Sequence, residues 1–231
     1  MADREKIAEG LGVVQMTQRE EKARIVYRYM RMIYCVISAA LVLIYALRHD
    51  SYHLSISIGT FAFPILLELV WKLPFLKRVW QIDCMILGFA FLGYPLGSCV
   101  DLFTLFPGYD KVVHTLSGVF VSVLALILYC VLKPGHRMEK RDSALAVAFM
   151  LTASIAVAGL WEIGEYLLSG IVGRDLQQVL TTGVADSMQD MIACTLGTLA
   201  TVPAALHGCS GKPGFLSGIV RDFVAAQFPE P

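Results

Sequence analysis

Three pairs of ionisable residues recur at spacings that a single helix face shares. Asp110 and His114 are four apart, Glu162 and Glu165 three apart, and Asp186 and Asp190 four apart. Side chains at those separations are neighbours on a helix surface. Each pair borders a long apolar run, where a central charge costs about 2.5–3.5 kcal/mol on membrane-insertion scales, so carboxylates retained there point to function. Five carboxylates and one imidazole gathered at low dielectric could not all stay ionised without compensation, because like charges raise one another's pKa. A metal ion, protons or a basic ligand would supply that compensation. Oxygen-rich ligation with one histidine suits Mg, Mn, Ca or Zn and suits iron less well; softer metals prefer thiolates that this set lacks. Asp110, His114, Glu162, Glu165, Asp186 and Asp190 are therefore the candidate ligands of a divalent metal. Glu165 and Asp190 are the candidate catalytic bases. The competing structural reading is that acids near helix N-termini, Asp110 and Asp186 among them, cap and complement the helix dipole.

The elements that would position these residues follow from composition. The chain of 231 residues is 56% hydrophobic and 16% charged, against about 25% charged in ordinary soluble domains. Its charges fall in short islands between runs of the roughly 20 apolar residues that a helix needs to cross a bilayer. Six such runs lie near Met30 to Leu47, His53 to Trp71, Trp80 to Cys99, Val112 to Leu132, Ala144 to Leu168 and Val184 to Leu206. The expected fold is an all-α polytopic membrane bundle of six transmembrane helices. With the N-terminus in the cytoplasm, sixteen of the nineteen Lys and Arg face inward and only Arg48, Lys111 and Arg174 face outward. The positive-inside tendency then predicts a cytoplasmic (inner) membrane protein with both termini cytoplasmic, and puts all three acidic motifs in the outer half.

The expected organisation is a polar N-terminal segment over 1–28, a six-span domain over 29–207 and a cytoplasmic tail over 208–231. The first 28 residues mix charges of both signs, unlike a cleaved signal peptide, and read as one or two polar helices interrupted near Gly10 and Gly12. From Phe215 to Val224 the apolar residues recur at helical spacing, an amphipathic segment suited to the inner membrane surface. Cys35, Cys84, Cys99, Cys130, Cys194 and Cys209 form no C-x-x-C pair and read as small buried apolar residues. Zero formal net charge and the lack of a basic stripe argue against nucleic-acid binding.

Other polar residues rank lower as ligands. Asp175, Gln177 and Gln178 on the loop between the fifth and sixth spans could cover the site or be solvated. His49 and His53 occupy the first outer loop, and Glu68 and Asp83 should pair with Lys72 or neighbouring basic residues. Ser117, Gly118 and Ser122 in the fourth span, with Ala193, Gly197 and Ala200 in the sixth, would let those backbones approach closely.

The motifs Tyr109-Asp110-Lys111-x-x-His114-x-x-Ser117-Gly118, Trp161-Glu162-x-x-Glu165 and Asp186-x-x-Gln189-Asp190 with Gly197 resemble those of the YjdF-like family of uncharacterised bacterial membrane proteins. The resemblance runs from about Leu92 to Thr201. It implies several spans, a histidine opening one helix, a glutamate pair closing the next and an aspartate-rich start to the last. Family members often carry tryptophan where this chain has Tyr109, a change that keeps an interfacial aromatic. No activity comes with the resemblance. Three functions remain open: a metal-assisted enzyme acting on a lipid or lipid-linked substrate, a proton-coupled transporter of a cation or basic solute, and an accessory or sensor membrane protein. The absence of a serine or cysteine nucleophile elbow and of a multi-histidine box weighs against the enzyme, and few polar residues at mid-depth weigh against the transporter.

Overall fold

The computed structural model describes residues 2–106 and 108–229, with side chains from residue 18 onward. Among these residues every regular element is helical and no strand occurs. Among the described residues, six helices are long and apolar enough to cross a membrane: Gln18–Leu47, Ser51–Val70, Trp80–Cys99, Tyr109–Leu132, Lys140–Val172 and Ala185–Cys209. They coincide with the six expected spans.

The chain divides into two compact units, Met1–Asp101 with Ala225–Pro231, and Leu102–Val224. The first unit is built from α1 (Ala2–Leu47), α2 (Ser51–Val70) and α3 (Trp80–Phe91), the last continuing into a π-helical stretch, Leu92–Cys99. The expected break near Gly10 and Gly12 does not occur, since α1 is one continuous helix; flanking helix formers outweigh two isolated glycines at roughly 1 kcal/mol each. The π-helical stretch has a local cause. Pro95 has no N–H to donate, and the ladder widens there until Val100 donates to the Pro95 carbonyl at 3.0 Å. Tyr27, Tyr34, Leu67, Leu87 and Ala90 form the apolar core of this unit.

Glu68 and Asp83 are paired as the sequence implies, but with Arg78 and not Lys72. Arg78 donates through Nε to the fully buried Asp83, and through its other two nitrogens to Glu68 at 2.7 and 3.0 Å. Its guanidinium lies 3.8 Å from the Trp80 ring and 5.1 Å from the Tyr27 ring. Arg31 also donates to Glu68, at 2.9 Å, and the Trp71 indole donates to Asp83. A planar fork can satisfy two carboxylates and stack on an indole together, which a lysine ammonium cannot.

The second unit holds α4 (Leu102–Leu105), α5 (Tyr109–Leu132), a 3-10 turn (Lys140–Asp142), α6 (Ser143–Val172), α7 (Val179–Thr182), α8 (Ala185–Cys209) and, as far as Val224, α9 (Phe215–Gln227). Helices α5, α6 and α8 pack pairwise on one another. The α5–α8 approach is backbone to backbone: a Cβ at Gly118 would sit 1.9 Å from the Cys194 carbonyl oxygen, and one at Gly197 would sit 1.9 Å from that of Thr115. The two glycines are thus required by reciprocal close contact. The amphipathic C-terminal segment forms α9, with Ile219 and Val220 buried and Phe215 exposed. All six cysteines are free, and Cys99, Cys130, Cys194 and Cys209 are buried.

Candidate functional site

The first turn of α5, the last turns of α6 and the first turns of α8 carry the three acidic motifs. The i,i+4 spacing works as expected on α5, where His114 Nε2 lies 3.3 Å from Asp110 Oδ1. It also lies 3.6 Å from Oδ1 of Asp190, on α8. One ligand atom from each of Asp110, His114 and Asp190 can be chosen so that all lie within 4.8 Å of one another, a group able to hold a metal ion. Asp190 is the most enclosed, with its side chain 5% exposed against 13% for His114 and 21% for Asp110. Such burial removes water that would otherwise screen the carboxylate.

Lys111 sits at the centre. Its Nζ donates to Asp186 Oδ1 and Asp190 Oδ1 at 2.6 Å each and to Asp110 Oδ2 at 3.1 Å. The sequence reading counts Lys111 toward orientation and within the α5 motif but gives it no place among the site residues. The signal was present, since a lysine three residues before His114 shares its helix face. An ammonium bridging three carboxylates supplies part of the compensation that the acidic residues demand. Asp186 belongs to the site through this lysine and through Gln178, which donates to its Oδ2 at 3.1 Å.

The two glutamates separate. Glu165 accepts a hydrogen bond from the Trp161 indole at 2.8 Å and stands within electrostatic reach of His114 and Asp110. Glu162 is 8% exposed and interacts with the loop instead: Gln177 donates to its backbone carbonyl at 2.9 Å and to Oε2 at 3.3 Å. Neither glutamate is in the Asp110–His114–Asp190 group. Asp175 accepts from the backbone N–H groups of Val179 and Leu180 at 2.9 and 2.7 Å and so caps α7. His53 pairs with Asp50 at 2.6 Å at the start of α2, within the other unit.

A buried polar seam starts one turn past Asp190. Ser117 donates to the Cys194 thiol at 3.4 Å, Cys194 lies 3.2 Å from the Ser154 hydroxyl, and Thr198 donates to Ser154 at 2.6 Å. Ser154 and Thr198 are fully buried. Mid-depth polarity is therefore richer than the sequence implied, because Ser, Thr and Cys are unremarkable within a span until three helices turn them toward one another.

No curated protein and no solved structure matches the chain. The model of the family described as predicted membrane protein (DUF2238) matches residues 29–208, a stretch that takes in all six apolar helices except the start of the first and the final residue of the last, and all of the residues just described. On that match and on its helical architecture, the chain belongs to this family of predicted multi-pass membrane proteins.

Proposed function

We propose that this protein binds a divalent cation between α5 and α8, through Asp110, His114 and Asp190, in the outer half of the cytoplasmic membrane. The observation that carries the reading is the approach of one imidazole nitrogen to carboxylate oxygens from two helices, at 3.3 and 3.6 Å. Ligand atoms about 2.0–2.2 Å from a tetrahedral zinc-like ion lie roughly 3.3–3.6 Å apart along its edges. A site at headgroup depth suits a metal-assisted reaction on a lipid or lipid-linked substrate. The ion would polarise a phosphoryl or carbonyl oxygen, and Glu165 would take the proton of an attacking water. Asp190, already engaged by Lys111 and near His114, serves better as ligand than as base. Asp186 and Lys111 hold Asp190 in place.

Purified protein loaded with zinc or manganese and passed over a desalting column should retain about one ion per chain by elemental analysis. His114→Ala and Asp190→Ala should each abolish retention. Unchanged retention in both variants and in their combination would overturn the reading.

Transport is favoured by a separate observation. The Lys111 ammonium already bridges Asp186 and Asp190, and the seam through Cys194, Ser154 and Thr198 leads away from them. In that reading an entering cation displaces the lysine, whose ammonium gives up one proton that leaves along the hydroxyls. Proteoliposomes with an imposed pH gradient should then accumulate a divalent cation, and Lys111→Met should abolish the coupling to protons. No gradient-driven uptake by the wild-type protein would eliminate it.

A further inference from the structure

A groove of about 480 Å³ runs between α6, the loop bearing α7 and the start of α8. Its sides are apolar, and Ile163, Tyr166 and Met188 are 56%, 68% and 46% exposed. On membrane helices such residues face acyl chains. Its remaining wall is polar, formed by Glu162, Gln177 and Ser187.

Glu162 is the anomaly. Its Oε1 is buried and makes no hydrogen bond among the described residues, and its Oε2 has the Gln177 carboxamide at 3.3 Å. A buried carboxylate oxygen without a donor costs more than one whose bond is made. No lysine, arginine or histidine pairs with Glu162 among the described residues; Lys111 and His114 are committed to the aspartates. The groove therefore presents an apolar channel ending at an anionic group that lacks a cation.

We infer that the groove seats a membrane phospholipid whose headgroup carries a primary amine, with the ammonium donating to Glu162 and an acyl chain lying along Ile163, Tyr166 and Met188. The occupant follows from charge. A primary ammonium offers three donors and the positive charge that Glu162 lacks, whereas an anionic headgroup would be repelled by Glu162 and by the neighbouring aspartates. Gln177 holds the place of the headgroup, and its 3.3 Å contact to Oε2 is the one the amine replaces. The inference adds a substrate class to the proposed function and rests on it for any chemistry, but the binding itself needs no metal.

The full chain, purified and incubated with an equimolar mixture of phosphatidylethanolamine and phosphatidylglycerol of identical acyl chains, should retain the amine lipid about tenfold over the anionic one by native mass spectrometry, the scale of one charge-assisted hydrogen bond. Glu162→Gln should bring retention of the two lipids to parity while the metal stays bound. His114→Ala should lose the metal and keep the lipid preference, so the two readings fail separately. Met188→Trp, at an exposed position, should block the groove and lose both lipids. Equal retention by the wild-type protein, or a preference that survives Glu162→Gln, overturns the inference.

Discussion

Gly197→Ala tests the packing on which the site depends. The added Cβ would lie 1.9 Å from the Thr115 carbonyl oxygen and 2.9 Å from its carbon, while ordinary contact begins at 3.4 Å, so α5 and α8 must part locally by about 1.5 Å. Both obstructing atoms are backbone and cannot rotate away. Overpacking of this kind costs about 1–3 kcal/mol, and a chain of this length loses roughly 2–4 °C of Tm per kcal/mol. The displacement also reaches the site. Asp190 is two helical turns from Gly197 and Lys111 is one turn from Thr115, and a separation of that size would stretch the 2.6 Å Lys111–Asp190 contact beyond hydrogen-bond length. Thermal unfolding in detergent should therefore show a lowered Tm together with weakened metal retention. Gly164→Ala is the control, since a Cβ there meets nothing within 4 Å, and it should leave both unchanged. Gly118→Ala combined with Gly197→Ala should destabilise by less than the sum of the two, because the first methyl already parts the helices for the second. A Gly197→Ala protein with the Tm and metal retention of the Gly164→Ala control would refute the close approach and the coupling drawn from it.

Arg78→Ala leaves the fully buried Asp83 without its cation and should destabilise by about 3–5 kcal/mol in a thermal melt; adding Asp83→Asn should recover part of the loss, and an unchanged Tm in Arg78→Ala would contradict the role assigned to the fork. The loop between α5 and α6 predicts an acid-labile contact, because hydrogen bonds from Lys133 and Arg137 hold the Glu139 carboxyl down at about 2, against an ordinary 4.5. A depressed folded-state pKa stabilises above the unfolded value and loses that contribution as pH falls, so stability should decline from about pH 4.5 toward 2, and Glu139→Gln should flatten that part of the profile. An identical acid limb in the variant would show that Glu139 does not drive it.

The six apolar helices were legible because hydropathy is a property of consecutive residues: a run such as Val112 to Leu132 has few alternatives to a span once its length matches a bilayer. The pairing of Asp110 with His114 was legible for a related reason, as both sit on one helix and its period places them together. The small residues Gly118 and Gly197 announced a close approach whose partners, the carbonyls of Cys194 and Thr115, only the packed helices reveal.

What required tertiary structure is the division of labour among the acids. Spacing alone treats Asp190 and Glu162 alike, yet the rotation of α8 against α5 brings Asp190 to His114 and Lys111, while α6 presents Glu162 to Gln177 and the groove. Lys111 reads in the sequence as one more loop cation, and it becomes a bridge among three aspartates only because two helices open side by side. The same holds for Ser117, Cys194, Ser154 and Thr198, which join into a seam across three helices. Local period determines which face a residue occupies. Which faces meet depends on how separate helices rotate and pack, a choice made by contacts between residues tens of positions apart, and no short stretch of sequence contains it.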